Sequence, residues 1–581
     1  MRIIRAVVFV LLILSSISGV AICQSIVTID TSIRHQTIFG WGAGLRRGTE
    51  QFYAEPPSLI SQVEDLCFNQ LHINILRTIC EPVIEPVEDS TVNFLIDTAK
   101  LNWTYYDYTT KDIYAIERAV TVSNNRINYI FSSNNSAPPW QKTNNNILWG
   151  GSILTTKYNE FTDFMCAYIL GMQNRYHIRL NGFSAFNEPG DSAYFETLTS
   201  SPSQVRDIVI NLRQKLDSLE QASLLPHIDI IAPESPVVSA AIIPAGVGMN
   251  CIYYLDPARG GIFNDSAAVS SVDIVGTHNY FDQDNTADWA KLKSISLNKP
   301  IWVTEASTST FYPYDITSKN AVIQAKWIDR SFTLADARAF AMFAFYDSLP
   351  SSGNVSSLVI YNGNSVIIPK RYYGFKQFVN FVLPGYVRVD AASNNQNLYV
   401  SSYINPAKDT LILVAINDTD IVLSNVAFHC PDSTLPVLQY ETCDVPDHST
   451  TQLDSIAPPA GGIFTADMQP TSIKTFVILL NKTTGIAHES SHPPGSCSLS
   501  QNYPNPFNPT TVIQYKIPVK GIVKLKVLDV LGREIRTLVN EYKIAGEYSI
   551  NFDASKLASG IYFYQLKSGN FISTRKMLYL K

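Results

Sequence analysis

Between residues 38 and 382 the chain alternates short apolar runs with longer stretches of helical periodicity. The apolar runs are Ile38–Gly42, Leu71–Thr78, Ile127–Ser132, Gly182–Phe186, His227–Ala232, Val272–Thr277, Pro300–Thr304 and Ala339–Phe345, eight in all. Segments such as Tyr158–Gln173, Gln204–Leu219 and Asn320–Leu334 lie between them and read as helices. Unbroken apolar runs suit strands covered on both faces, and their alternation with helices predicts βα units and a parallel sheet. Eight such units predict an α/β fold of the (β/α)8 TIM-barrel type, with an open doubly wound sheet as the rival topology. The residues at the C-terminal end of each run favour the barrel. They read Trp41-Gly42, Arg77-Thr78, Pro138-Pro139-Trp140, Asn187-Glu188-Pro189, Glu234-Ser235, His278-Asn279-Tyr280, Glu305-Ala306-Ser307 and Tyr346-Asp347. A barrel collects all of these on one rim, whereas an open sheet keeps the fourth and seventh strands apart.

The pattern changes at residue 383. Runs such as Leu398–Ser402, Leu411–Ile416 and Ile473–Leu480 are short, rich in β-formers and separated by Asn, Asp and Pro turns, which predicts an all-β side sandwich over 383–480. Residues 481–495 are polar, contain Pro493-Pro494 and read as a linker. Residues 496–581 return to short strands, enough for a small Ig-like β-sandwich. At the other end, Arg2 and Arg5 precede the apolar run Ala6–Leu14, and Ala21 and Cys23 offer small residues for cleavage before Gln24. Residues 1–23 therefore read as a signal peptide, and no integral membrane segment is expected in the mature chain.

Composition narrows the function. The chain has 581 residues, 46% hydrophobic and 16% charged, with a net charge of −6 and no basic stripe. Nucleic acid is thus not an expected partner, because phosphate binding needs clustered Lys and Arg. Aromatics reach 11%, chiefly core material, though exposed rings also stack on sugars. Export permits disulfides, and Cys67 with Cys80, or Cys430 with Cys443, are close enough in sequence to pair. No CxxC pair or HExxH motif occurs among the eight Cys and nine His, so neither a catalytic metal nor another cofactor is expected.

Two glutamates carry the chemistry. Glu188 follows the fourth apolar run and Glu305 the seventh. A carboxylate at the mouth of a buried strand is costly unless paired or used. Either one alone reads equally well as a rim salt bridge; both together, on strands that face each other across a barrel, favour catalysis. Glycoside cleavage needs such a pair, one carboxyl to protonate the leaving oxygen and one to attack the anomeric carbon. Glu188 is the expected general acid/base and Glu305 the expected nucleophile.

These segments, taken in order, resemble the family-30 glycoside hydrolases, within the large clan of barrels that carry catalytic glutamates on strands four and seven. The resemblance spans residues 26–480. It rests on Gln36-Thr37-Ile38-Phe39-Gly40-Trp41-Gly42, Ile75-Leu76-Arg77, Ser136-Ala137-Pro138-Pro139-Trp140, Asn187-Glu188-Pro189, Gly276-Thr277-His278-Asn279-Tyr280, Trp302-Val303-Thr304-Glu305 and the junction Tyr373–Phe378 with Leu383-Pro384-Gly385. It implies that residues 24–37 form an N-terminal strand joining the side sandwich, with the catalytic barrel over 38–382. It implies that Asn187 bonds the sugar 2-hydroxyl, Tyr280 orients Glu305, Arg77 keeps Glu305 ionised and His278 lines the site, with Trp140 and Trp41 as sugar-stacking walls. Each also has a plainer reading, Trp41 as barrel packing among them. The loop Ser348–Gly353 has no Arg for a uronic acid, which argues against glucuronoxylan specificity, while Pro138-Pro139-Trp140 leans toward members acting endo on xylan, β-1,6-galactan or β-1,6-glucan.

The tail carries a second resemblance. Asn502-Tyr503-Pro504-Asn505-Pro506-Phe507-Asn508-Pro509-Thr510-Thr511, Leu531-Gly532-Arg533 and Ala558-Ser559-Gly560-Ile561-Tyr562 resemble the type A sorting domain of bacterial type IX secretion over 496–581. That implies the type IX machinery as a partner and a destination outside the outer membrane, secreted or surface-attached. The expected function is a secreted retaining endo-β-glycanase acting on a polysaccharide or oligosaccharide. The alternatives are an exo-acting β-glycosidase, including glucosylceramidase-like enzymes, and a non-catalytic surface glycan-binding protein.

Overall fold

The structure, a computed structural model, describes residues 24–45, 49–85, 101–190, 196–238, 250–280, 286–308, 316–349, 357–363, 365–445, 448–458, 461–480, 497–502, 505–517, 521–543, 546–569 and 571–580. The signal peptide and the linker expected from the sequence lie outside the described residues. The chain forms two compact units, Met1–Lys482 and Thr483–Lys581.

The first unit is built on a closed barrel of eight parallel strands. Strand β1 (Ile26–Thr37) precedes it. The barrel strands are β2 (Gly40–Gly44), β3 (Ile75–Cys80), β4 (Tyr129–Asn134), β5 (Gly182–Ser184), β6 (Asp229–Ser235), β7 (Ile274–Asn279), β8 (Ile301–Ala306) and β9 (Ala339–Met342). The open-sheet alternative is excluded, because β2 pairs with both β3 and β9 and leaves no edge. Helices Tyr158–Tyr176, Pro202–Gln221 and Ser318–Leu334 occupy three of the stretches with helical periodicity. Ser201 opens the second of them with a full capping box, its hydroxyl accepting from the Gln204 amide.

The barrel interior is filled in layers, not hollow. Ile75, Tyr129, Phe131, Ile231, Ile274, Trp302 and Ala339 form a separate apolar cluster from seven residues on six strands. Phe39 closes against it, its ring 4.6 Å from Trp302 and 5.2 Å from Tyr129. A plugged floor leaves the opposite, C-terminal mouth as the place for polar groups.

Three short strands, β10 (Ala344–Ser348), β11 (Ser357–Asn362) and β12 (Ser365–Ile367), form a small sheet after the barrel. The side sheet has nine strands in the order β18-β17-β20-β15-β14-β13-β1-β16-β19, made of β13 (Val387–Ser393), β14 (Leu398–Ile404), β15 (Thr410–Asn417), β16 (Leu423–His429), β17 (Val437–Thr442), β18 (Ser449–Ile456), β19 (Ile463–Met468), β20 (Ser472–Leu479) and β1. Strand β1 joins it by pairing antiparallel with β13 and parallel with β16. The sheet has its own core, including Val389, Leu413, Phe428, Phe464 and Phe476. The seven described cysteines are free thiols, so neither pairing expected from sequence spacing forms. Cys67 Sγ instead faces the Phe345 carbonyl at 3.6 Å.

The second unit is a sandwich of a three-stranded and a four-stranded sheet around Leu499, Phe507, Ile513, Leu525, Phe552, Tyr564 and Tyr579. Its opening motif is structural: the Asn502 amide donates to Tyr564 Oη (2.7 Å) and its side chain to Thr511 Oγ1 (2.9 Å). No helix among the described residues is long and apolar enough to cross a membrane.

Candidate active site

Side chains alternate in direction along a strand, so residues two apart share a face. On β3 the inward positions rise from Ile75 to Arg77, on β4 from Phe131 to Ser133, and on β7 from Ile274 through Gly276 to His278. The interior therefore changes from apolar floor to charged mouth within one layer. Two bulges complete the change. In β6, Pro233 pairs with Gly276 and Ser235 with Thr277, so Glu234 is the extra residue. Between β7 and β8, Thr277 pairs with Val303 and His278 with Glu305, so Thr304 is extra. A bulge re-aims the side chains at and beside it, and here each turns a glutamate inward. Gly276 leaves the room: a Cβ there would stand 2.5 Å from Ile231 Cγ2 and 3.3 Å from Glu234 Cγ.

The mouth holds one connected cluster. Arg77 Nη1 lies 2.7 Å from Glu305 Oε2, and Arg77 Nη2 donates to Asn187 Oδ1 at 2.6 Å. The same nitrogen is 3.6 Å from Glu234 Oε2, which accepts from Ser133 Oγ at 2.6 Å. Tyr280 Oη donates to Glu305 Oε1, so both oxygens of Glu305 are held. His278 Nδ1 stands 2.9 Å from Glu188 Oε1 and 3.8 Å from Glu305 Oε1, while its Nε2 faces Glu234 Oε1 at 3.9 Å. One oxygen of Glu188, one of Glu305 and a ring nitrogen of His278 all lie within 4.8 Å of one another.

Backbone geometry is spent on the same carboxylates. Glu188 (φ 50) and Glu234 (φ 59) are both left-handed, a conformation that costs on the order of 1 kcal/mol or more for a non-glycine residue. The Glu188 amide donates to the Glu234 carbonyl at 2.9 Å, which ties the two strained residues together.

Burial sets the charge states. For His278, burial opposes the charged ring, but Glu305, Glu188 and Glu234 lift it to about 10, so the ring is an imidazolium at neutral pH. For Glu234, burial opposes the carboxylate, yet Arg77, His278 and Ser133 hold it down to about 2. Burial pushes the Tyr280 hydroxyl well above its ordinary range, with Glu305 and Glu188 adding to it, so it stays a donor. Each buried charge has an opposite partner and a hydrogen bond, the condition under which such charges persist.

Six of the residues read from the sequence meet here: Glu188, Glu305, Asn187, Tyr280, His278 and Arg77. Trp140 does not belong to the hydrogen-bonded cluster. It is half-buried, with its indole NH toward the Glu85 carbonyl (3.4 Å) and Lys157 Nζ 5.1 Å from its ring centre. The expectation for Trp41 as a sugar-stacking wall is corrected. Trp41 is fully buried, packs on Phe332, Phe375 and Phe378, and donates from its indole NH to the Val382 carbonyl at 2.6 Å. No face is left for a sugar, because the barrel's outer layer covers it. Glu234 and Ser133 do not stand out in the sequence, although Glu234 lies at a strand end like the others.

Residues 501–579 match the secretion system C-terminal sorting domain. The chain is 26% identical over 331 residues to a glucuronoxylanase of Bacillus subtilis strain 168, an alignment covering 55% of this chain and 66% of that relative, just under two thirds. By fold, it resembles a glycoside hydrolase family 30 subfamily 8 xylanase from Clostridium acetobutylicum, with TM-score 0.59 and 23% identity over 78% of this chain and 99% of that one. An endo-β-1,6-glucanase superposes with TM-score 0.55 and 15% identity over 79% of this chain and 95% of its own.

Proposed function

Since the chain is a homologue of the family-30 xylanases and carries a type IX sorting domain, we propose that it is a retaining endo-β-glycanase. The sorting domain directs it to the cell surface or the extracellular space. The observation that carries the reading is the placement of Glu188 and Glu305 oxygens within 4.8 Å of each other at the barrel mouth. Retaining enzymes separate the two carboxyl groups by roughly 5–5.5 Å, whereas inverting ones leave roughly 6.5–9.5 Å for a water.

In the proposed first step Glu305 attacks the anomeric carbon while Glu188 gives its proton to the leaving oxygen. Arg77 and Tyr280 fix the two oxygens of Glu305 in direction. Asn187 is held by Arg77 through its carbonyl oxygen, which leaves its amide NH2 to donate to the sugar 2-hydroxyl. With Glu188 protonated, the charges of Arg77 and His278 are balanced by Glu234 and Glu305. The ester at Glu305 then removes one negative charge, and Glu188 takes a proton from the water that hydrolyses it.

Xylan is the first substrate proposed, because the relative matched in sequence is named a glucuronoxylanase and a family-30 neighbour in fold is named a xylanase. The absence of an Arg in Ser348–Gly353 supports cleavage without a uronic-acid anchor. Product analysis on xylan, glucuronoxylan, β-1,6-glucan and β-1,6-galactan tests the proposal. Oligosaccharide ladders are expected from one of them. Monosaccharide alone would mean an exo enzyme, and binding without turnover a glycan-binding protein.

A further inference from the structure

Away from the barrel mouth, the turn between β17 and β18 gathers a carboxylate, a thiol and an imidazole. Glu441 is the last residue but one of β17, Cys443 follows the strand and His448 immediately precedes β18. The turn closes on itself, with the Cys443 amide donating to the His448 carbonyl (3.2 Å) and the His448 amide to the Val445 carbonyl (3.1 Å). His448 Nδ1 is 2.7 Å from Glu441 Oε2 and 3.5 Å from Cys443 Sγ, and Sγ is 3.8 Å from the same oxygen.

That triangle has the dimensions of a metal site. With Zn–S of about 2.3 Å, Zn–N of about 2.05 Å and Zn–O of about 2.0 Å, a tetrahedral ion needs edges of about 3.6 Å (S to N), 3.5 Å (S to O) and 3.3 Å (N to O). Both edges that include sulfur agree within about 0.3 Å, and the His448–Glu441 edge has to open by about 0.6 Å. The orienting shell is also present. Lys474 Nζ holds the other Glu441 oxygen at 3.1 Å and donates to the Asp467 carbonyl at 2.7 Å, which turns Oε2 toward the triangle. Glu441 and Cys443 are each 1% exposed, whereas the His448 side chain is 24% exposed.

We propose that Glu441, Cys443 and His448 bind one thiophilic divalent cation, Zn2+ by the chemistry of the donors. A thiolate with an imidazole selects zinc over calcium or magnesium. Binding releases the Cys443 proton and takes the Nδ1 lone pair of His448, whose proton moves to Nε2 on the solvent side. The ion has a structural place, because this turn clasps the barrel. Asp444 Oδ1 accepts from the Ser318 amide (2.8 Å) at the start of helix Ser318–Leu334. Lys370 Nζ, at the start of helix Lys370–Val379, donates to the His448 carbonyl (2.8 Å) and Ser449 Oγ (2.9 Å). The ion would lock the clasp from the sheet side, whatever glycan the barrel cleaves.

The test is titration of the full chain with Co2+ followed by displacement with Zn2+. A thiolate-to-cobalt charge-transfer band in the near ultraviolet, saturating at one Co2+ per chain and erased by Zn2+, is expected. The band should vanish in Cys443→Ser and in His448→Gln, and Zn2+ should raise the melting temperature of the wild type but of neither variant. No band in the wild type overturns the proposal, as does an undiminished band in Cys443→Ser. Should that variant not fold, an undiminished band in His448→Gln, at the exposed corner, overturns it equally.

Discussion

Replacing Glu234 by glutamine keeps the side-chain shape and removes one charge from the most enclosed part of the mouth. Glu234 has no exposed surface and faces Arg77 at 3.6 Å and His278 at 3.9 Å. Burial works against its carboxylate, but Arg77, His278 and Ser133 prevail and hold it at about 2, against an ordinary 4.5. At about 1.36 kcal/mol per unit, that depression corresponds to roughly 3 kcal/mol, at the lower end of the ~3–5 kcal/mol for breaking a buried pair. A lowered carboxyl stabilises the fold fully above its unfolded value, and the stabilisation is lost as pH falls from about 4.5 toward 2. At about 2.1 cal/mol/K per residue over roughly 460 residues, the melting entropy is about 1 kcal/mol per degree. Glu234→Gln should therefore melt about 3 °C below the wild type at pH 7, with the gap narrowing between pH 5 and pH 3. The variant also takes from His278 one of the three carboxylates that lift it, so the alkaline limb of the pH–rate profile should move to lower pH. Calorimetry at several pH values, with turnover measured alongside, checks both. Equal melting temperatures at pH 7, or a gap that persists unchanged into acid, would refute the electrostatic account of this residue.

Glu305→Gln should lower turnover by about 10⁴-fold or more while glycan affinity, read by calorimetric titration, changes little. Glu188→Ala should lose about 10²–10⁴-fold on substrates with poor leaving groups and far less on activated aryl glycosides, with azide restoring part of the rate; equal losses without rescue would contradict the acid/base role. Arg77→Met leaves Glu234 and Glu305 without their shared cation, so denaturant unfolding should show a loss of about 3–5 kcal/mol together with the loss of activity.

The barrel was legible because its strands are apolar on both faces and its helices keep their period, so each element announces itself locally. The glutamate pair was legible because Glu188 and Glu305 stand at the ends of the fourth and seventh runs, which face each other across a barrel. Glu234 was not, for a geometric reason. Counting by twos from Ile231 points Pro233 inward and Glu234 outward, and only the bulge opposite Gly276 and Thr277 reverses this. Trp41 stayed open between sugar stacking and barrel packing because its partners, Phe332, Phe375 and Phe378, lie about three hundred residues away along the chain. A glycine-flanked Trp at a strand looks the same in sequence whether it faces a sugar or a helix. The cysteines misled, since closeness in sequence does not bring two thiols to face each other: Cys67 is turned to the Phe345 carbonyl. Conversely, Cys443 gained meaning only when the turn placed it beside His448 and Glu441.

The central claim is double displacement by Glu188 and Glu305, and the anomeric configuration of the first-formed product tests it most directly. Proton NMR taken within the first minutes of hydrolysis, before mutarotation, should show the β-anomer from a β-linked glycan. An α-anomer at that time would mean a single displacement by water and would contradict the assignment of Glu305 as nucleophile.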